Sequence, residues 1–150
     1  VSRIDQAFAS LHERGEKGLV VYLTAGDPDA RTSLSYLRAA ADGGADLLEV
    51  GIPFSDPMAD GPTIQAAARR ALDGGMTTAR ALSLISGFRR THPTPVVVFG
   101  YYNPFFRYDA KRFCRDAREA GADGILVVDL PCEESREMLP EIRRAGMDWI

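Results

Sequence analysis

The chain has 150 residues, of which 45% are apolar and 26% charged, and its formal net charge is −3. That length suits one ordinary domain with its own core, and the mild acidic balance excludes binding to nucleic acid or an anionic membrane through a basic surface. No apolar run approaches the ~20 residues of a membrane helix and no charged-then-apolar leader opens the chain, so a cytoplasmic location is expected.

Lys17 and Lys111 are the only lysines, and the arginines are dispersed along helical segments, as in Arg69 and Arg70 or Arg112, Arg115 and Arg118. They read as solvated helix faces. Cys114 and Cys132, with His12 and His92 as the only imidazoles, are too few and too unpatterned for a disulfide framework or a zinc site. Both thiols are expected reduced, with no structural metal.

In chain order, Ile4, Ala7, Phe8 and Leu11 share one helical face and predict a short amphipathic helix that covers an end of the sheet. Leu19 to Leu23 is the first strand. Thr24 to Asp27 forms a loop in which Asp27 is expected to cap the next helix, with Pro28 in its first turn. Leu34, Leu37, Ala40 and Ala41 continue at helix spacing until Gly43 and Gly44 stop it. Leu47 to Ile52 reads as a strand buried on both faces, interrupted by Glu49. Pro53, Asp56, Pro57 and Gly61 supply turn chemistry, and Pro62 opens a helix through Ile64, Ala67, Ala68 and Ala71. Asp60 therefore sits at a helix mouth. A further helix over 78–90, a strand over 96–101, a helix over 109–120, a strand over 125–128 and a helix over 133–145 follow. Trp149 and Ile150 begin a fifth strand.

Gly44-Ala45-Asp46, Gly121-Ala122-Asp123 and Gly146-Met147-Asp148 repeat one signal, a helix end leading into a buried strand. Alternating β and α elements with apolar strands predict a parallel sheet with helices outside, joined by right-handed crossovers. No G-x-G-x-x-G follows the first strand, which weakens a dinucleotide-binding open sheet. Polar residues at strand ends (Thr24, Glu49, Tyr101, Asp129) and the long loop after the second strand suit a (β/α)8 TIM barrel with its chemistry at the C-terminal face. Such a barrel needs ~250 residues. The expectation is a single domain over 1–150 that forms about the first half of the barrel, strands one to four and the start of five.

The segment LLEVGIPFSDPMADGPTIQ, Leu47 to Gln65, resembles the signature of the tryptophan synthase alpha subunit family. TAGDP at Thr24 to Pro28, GYYNP at Gly100 to Pro104 and ILVVDLPCEES at Ile125 to Ser135 extend the likeness along the whole chain. The resemblance implies the barrel and a lyase of tryptophan biosynthesis, which cleaves indole-3-glycerol phosphate to indole and glyceraldehyde 3-phosphate by a reverse aldol reaction. It implies Glu49 and Asp60 as catalytic residues and Tyr22, Phe99, Tyr101 and Leu126 as substrate contacts. It places Pro53, Asp56 and Pro57 against a beta subunit in an alpha2-beta2 complex. Pyridoxal phosphate is implied only in that partner, with no cofactor in this subunit.

The residue chemistry is compatible with those roles. An apolar strand end disfavours the ionised form of Glu49 and brings it toward proton exchange near the working pH. Asp60 suits a fixed negative charge. Taken alone, however, Asp60 before Gly61 and Pro62 reads as a cap or turn residue, and each aromatic as core packing. Asp129 reads equally as structural pairing or as function. Other phosphate-binding barrels would show a catalytic Lys or metal-ligating His at strand ends, which this chain lacks. A non-catalytic fragment that binds the beta subunit is the other alternative. In such barrels phosphate is usually held after strands seven and eight, so the 150 residues by themselves are expected to be inactive.

Overall fold

The computed structural model describes Val1 to Ile150. Helix α1 (Arg3–Arg14) starts where the Ser2 hydroxyl accepts the Asp5 N–H at 3.1 Å and the Asp5 carboxylate accepts the Ser2 N–H at 3.0 Å, a reciprocal cap. Five strands follow: β1 (Val20–Thr24), β2 (Leu47–Gly51), β3 (Val96–Gly100), β4 (Gly124–Val127) and β5 (Asp148–Trp149). They pair in parallel in the order β1-β2-β3-β4-β5. The crossovers carry α2 (Ala30–Asp42), α3 (Pro62–Asp73) with α4 (Thr78–Arg89), α5 (Tyr102–Tyr108) with α6 (Ala110–Ala120), and α7 (Leu139–Arg144).

Strand parity divides the molecule. Leu48, Val50, Val96, Val98, Ile125 and Val127 point outward into the main core with Leu37, Ile85, Phe88, Phe105 and Phe113 from the helices. Each such side chain contributes about 1.5–3 kcal/mol on burial. Residues of the other parity line the inner face, where Leu47 and Val97 pack with Ile4 of α1, beside Leu126. Helix α1 thus floors the strand N-termini, as expected, although Phe8 stays exposed while Ile4 and Leu11 are buried.

The repeated Gly-x-Asp joint has a physical basis. Gly44, Gly121 and Gly146 all adopt positive φ (99°, 97° and 70°), which ends the helix and turns the chain into the sheet. At the first two joints the following aspartate then anchors the neighbouring strand: Asp46 accepts the Leu19 N–H at 2.8 Å and Asp123 accepts the Val96 N–H at 3.0 Å. Asp123, 2% exposed, also receives Arg89 at 2.8 Å and Arg3 at 2.7 Å. Arg89 is therefore no solvated helix residue. Burial lowers its pKa, against the opposing pull of Asp123.

Three local expectations are corrected. The N-cap of α2 is Asp29, which accepts both the Thr32 N–H and its hydroxyl, while Asp27 forms a two-pronged pair with Arg70 of α3 at 2.7 and 2.9 Å. Helix α5 was not anticipated, yet Pro104 falls in its first turn, where the missing N–H removes no helical bond. The helix expected over 133–145 is a 3₁₀ turn (Cys132–Glu134) followed by the short α7, because Pro140 can sit only near a helix start.

Asp123→Ala should lower the stability of the full-length protein by about 3–5 kcal/mol, because it leaves Arg89 unpaired and partly buried. Asp123→Asn, which keeps an acceptor for the Val96 N–H, should cost less. Urea unfolding of the two variants measures both.

Candidate active site

The C-terminal ends of the strands bring the carboxylates and aromatics together. Tyr22 pairs with Glu49, Thr24 with Gly51, Gly51 with Phe99, and Phe99 with Leu126, so these side chains share the inner face. Tyr22, Glu49, Phe99 and Leu126 are half-buried there. The rings of Tyr22 and Phe99 meet edge to face with centroids 5.2 Å apart. None of the larger cavities formed by these 150 residues is lined by Glu49 or Asp60.

Gly51 explains how a tyrosine fits at position 22. A Cβ at residue 51 would lie 2.1 Å from the Tyr22 hydroxyl, so only glycine lets that ring lie across β2. The hydroxyl is 3.4 Å from that of Thr24. Burial raises the Tyr22 pKa; the Thr24 contact opposes this, and the charges of Asp60, Tyr101 and Glu49 add to it. The Tyr22 hydroxyl thus lies within electrostatic reach of both carboxylates. Burial alone raises the Glu49 pKa, in the direction expected from its strand.

The β2–α3 loop delivers Asp60. The N-cap of α3 is Gly61, with no side-chain cap bond, so the Asp60 carboxylate is not engaged in capping the helix. Its main chain is held by the Gln65 amide, which donates to the Asp60 carbonyl at 2.8 Å, and by its own N–H to Pro57 O at 3.1 Å. Tyr101, 2% exposed, stacks at a tilt on Phe54 with centroids 5.4 Å apart, and its hydroxyl accepts the Ala59 N–H at 3.0 Å. Asp129 accepts the Tyr102 N–H at 2.7 Å and so starts α5, a structural role.

Of the loop residues expected to meet a partner, Asp56 is exposed, Pro57 half-buried and Pro53 buried at the end of β2. Met58, 81% exposed, is the most prominent apolar side chain of the loop and was missed by sequence reasoning. Gly51 and Phe54 were missed as well. A glycine inside an apolar strand was the available signal for the first; Phe54 carried none.

An uninterrupted β/α series in sequential strand order, with acids and aromatics at the C-terminal ends of its strands, is the arrangement of part of a (β/α)8 barrel. A family model described as tryptophan synthase alpha chain matches residues 8–150. Curated tryptophan synthase alpha chains from Citrifermentans bemidjiense and Geobacter sp. strain M21 are each 51% identical over all of this chain, which covers 56% of their length. A crystal structure of tryptophan synthase subunit alpha from Legionella pneumophila superposes with a TM-score of 0.96 at 41% identity, covering 99% of this chain and 57% of that one. A structure of the tryptophan synthase a2b2 complex from Pyrococcus furiosus gives 0.84 at 45% identity, covering 88% of this chain and 54% of that one. The chain belongs to the tryptophan synthase alpha chain family, and it spans a little over half the length of the relatives it matches.

Gly51→Ala should displace Tyr22 and cost about 1–3 kcal/mol by overpacking. Combining it with Tyr22→Ala should cost less than the sum of the single changes, a coupling that a double-mutant unfolding cycle reads directly.

Proposed function

We propose that the full-length protein containing this chain is the alpha subunit of tryptophan synthase, cleaving indole-3-glycerol phosphate to indole and glyceraldehyde 3-phosphate. The observation that carries this reading is that Glu49, on the inner face of β2, and Asp60, on the loop that follows the same strand, both act electrostatically on the Tyr22 hydroxyl. Family membership supports it independently.

The reaction breaks the bond between indole C3 and the carbon that bears the side-chain hydroxyl. C3 gains a proton, the hydroxyl loses one, and the bonding pair returns to the indole ring as the aldehyde forms, so protons balance. Glu49 is the group that gives and takes them. Its raised pKa, caused by burial, keeps a protonated fraction to higher pH than an ordinary glutamate would. Asp60 supplies a fixed negative charge near the indole N–H and stabilises the cationic ring formed by C3 protonation. Tyr22, Phe99, Tyr101 and Leu126 form the flat, largely apolar wall against which the ring lies. The phosphate is held by parts of the protein outside these 150 residues.

The loop from Pro53 to Asp60 is the proposed contact with a beta subunit that carries pyridoxal phosphate, and this subunit needs no cofactor of its own. The solved a2b2 complex of the Pyrococcus furiosus relative supports that assembly. No helix is long and apolar enough to cross a membrane, in keeping with a cytoplasmic biosynthetic enzyme.

Glu49→Gln should reduce kcat for indole release about 10²- to 10⁴-fold, the range for loss of a positioned acid-base group. Substrate affinity should change little. The same variant carries a stability signature. A carboxylate whose folded pKa is raised weakens the fold as pH climbs from its unfolded pKa through its folded one. Glu49→Gln should therefore unfold at higher urea than wild type at neutral pH, and the difference should vanish in acid, below the unfolded pKa of about 4.3.

Asp56→Ala and Pro57→Ala should weaken association with the beta subunit, or the activation it causes, more than they lower thermal stability. Titration with the beta subunit by calorimetry and indole assay separates the two effects.

A further inference from the structure

We propose that Tyr101 is a positioning residue, its hydroxyl clamping the β2–α3 loop to the end of β3 and so fixing where Asp60 stands. This rests on the reading of Asp60 as the indole-facing carboxylate and goes beyond a role for Tyr101 as a wall of the ring pocket.

From Pro53 to Asp60, the loop makes two backbone hydrogen bonds within itself, Met58 N–H to Asp56 O and Asp60 N–H to Pro57 O. Behind it, Gln65 of α3 holds the Asp60 carbonyl. The only hydrogen bond from this segment to the sheet side of the site is Ala59 N–H to the Tyr101 hydroxyl, one residue before Asp60. Three residues after the strand, the Phe54 ring leans on the same tyrosine. Tyr101 therefore holds the loop near both its ends, by a ring contact and by a polar contact.

The polar contact also has a direction. A phenol oxygen accepts with its lone pairs and donates one hydrogen. Ala59 occupies an acceptor position, and the hydroxyl lies in the field of the Asp60 carboxylate. Burial raises the Tyr101 pKa; the Ala59 hydrogen bond opposes this and the Asp60 charge adds to it, so the group keeps its hydrogen for donation in the physiological range. A neutral donor buried beside a carboxylate, in turn tied to the loop amide next to it, sets both the height of the loop and the rotation of Asp60. Because the loop is also the proposed partner contact, the same bond carries partner pressure on Pro57 and Met58 toward the carboxylate.

The test uses the full-length protein with Tyr101→Phe, which keeps the ring and its Phe54 contact. Unfolding in urea confirms that the variant is folded. Hydrogen exchange at the Ala59 amide should lose its protection. In the indole assay kcat should fall about 10- to 100-fold, the scale of a small misplacement of a reacting group, with KM nearly unchanged. On an Asp60→Asn background, Tyr101→Phe should cost little more, because its effect runs through Asp60. Three outcomes overturn the proposal: unchanged Ala59 protection, a raised KM with kcat preserved, or the same fold-loss in both backgrounds. If the wild-type full-length protein releases no indole, the proposed function itself fails, whereas the Ala59 exchange result still decides whether the clamp exists.

Discussion

The constraint from which the site derives is the register between β1 and β2. Parallel pairing sets Tyr22 beside Glu49 and Thr24 beside Gly51. A shift by one residue would turn Glu49 into the helix-packed core and bring Val50 or Leu48 to the inner face. The apolar residues of the outward parity hold that register, because their burial against α2, α4 and α6 would be lost in the slip. The geometry of the candidate site is thus enforced by side chains that never face it.

A second layer of control acts on the loops. Strands fix Glu49, but Asp60 stands on a ten-residue connection whose ends alone are regular. The connection is ordered by contacts from two neighbours, Tyr101 after β3 and Gln65 in α3, and by burial of its own Pro53. Asp27 and Arg70 tie the neighbouring β1–α2 loop to α3 in the same way. One acid is held by the sheet and the other by contacts that a binding event can reach. Such a division suits a proton-transfer group that must stay partly buried and a charge that must meet its target only when the site is assembled.

Much of this architecture was legible in the residues. Alternating apolar strands and glycine-stopped helices specified the parallel β/α order, and the interrupted run around Glu49 marked an acid on a buried strand before any coordinate was known. The likeness to the family signature singled out Asp60, whose local context reads as a turn. What was not legible depends on partners distant in sequence. Asp27 looks like a cap until Arg70 is seen across the loop, and Arg89 looks like a surface residue until Asp123 comes beneath it. The breadth of the family match left the role of Gly51 hidden, because its meaning lies in a tyrosine on the adjacent strand. Helix α5 escaped, and the helix that ends in α7 is expected to start too early, because a proline is equally at home in a loop and in a first helical turn.

The ion pair between Arg3 and Asp123 spans 120 positions of the chain. During synthesis, then, α1 receives its electrostatic latch only after the segment leading into β4 has emerged. Its apolar contacts with Leu47 and Val97 become available sooner. The floor beneath the inner face is therefore assembled in stages, and the Arg3–Asp123 pair closes a loop of 120 positions.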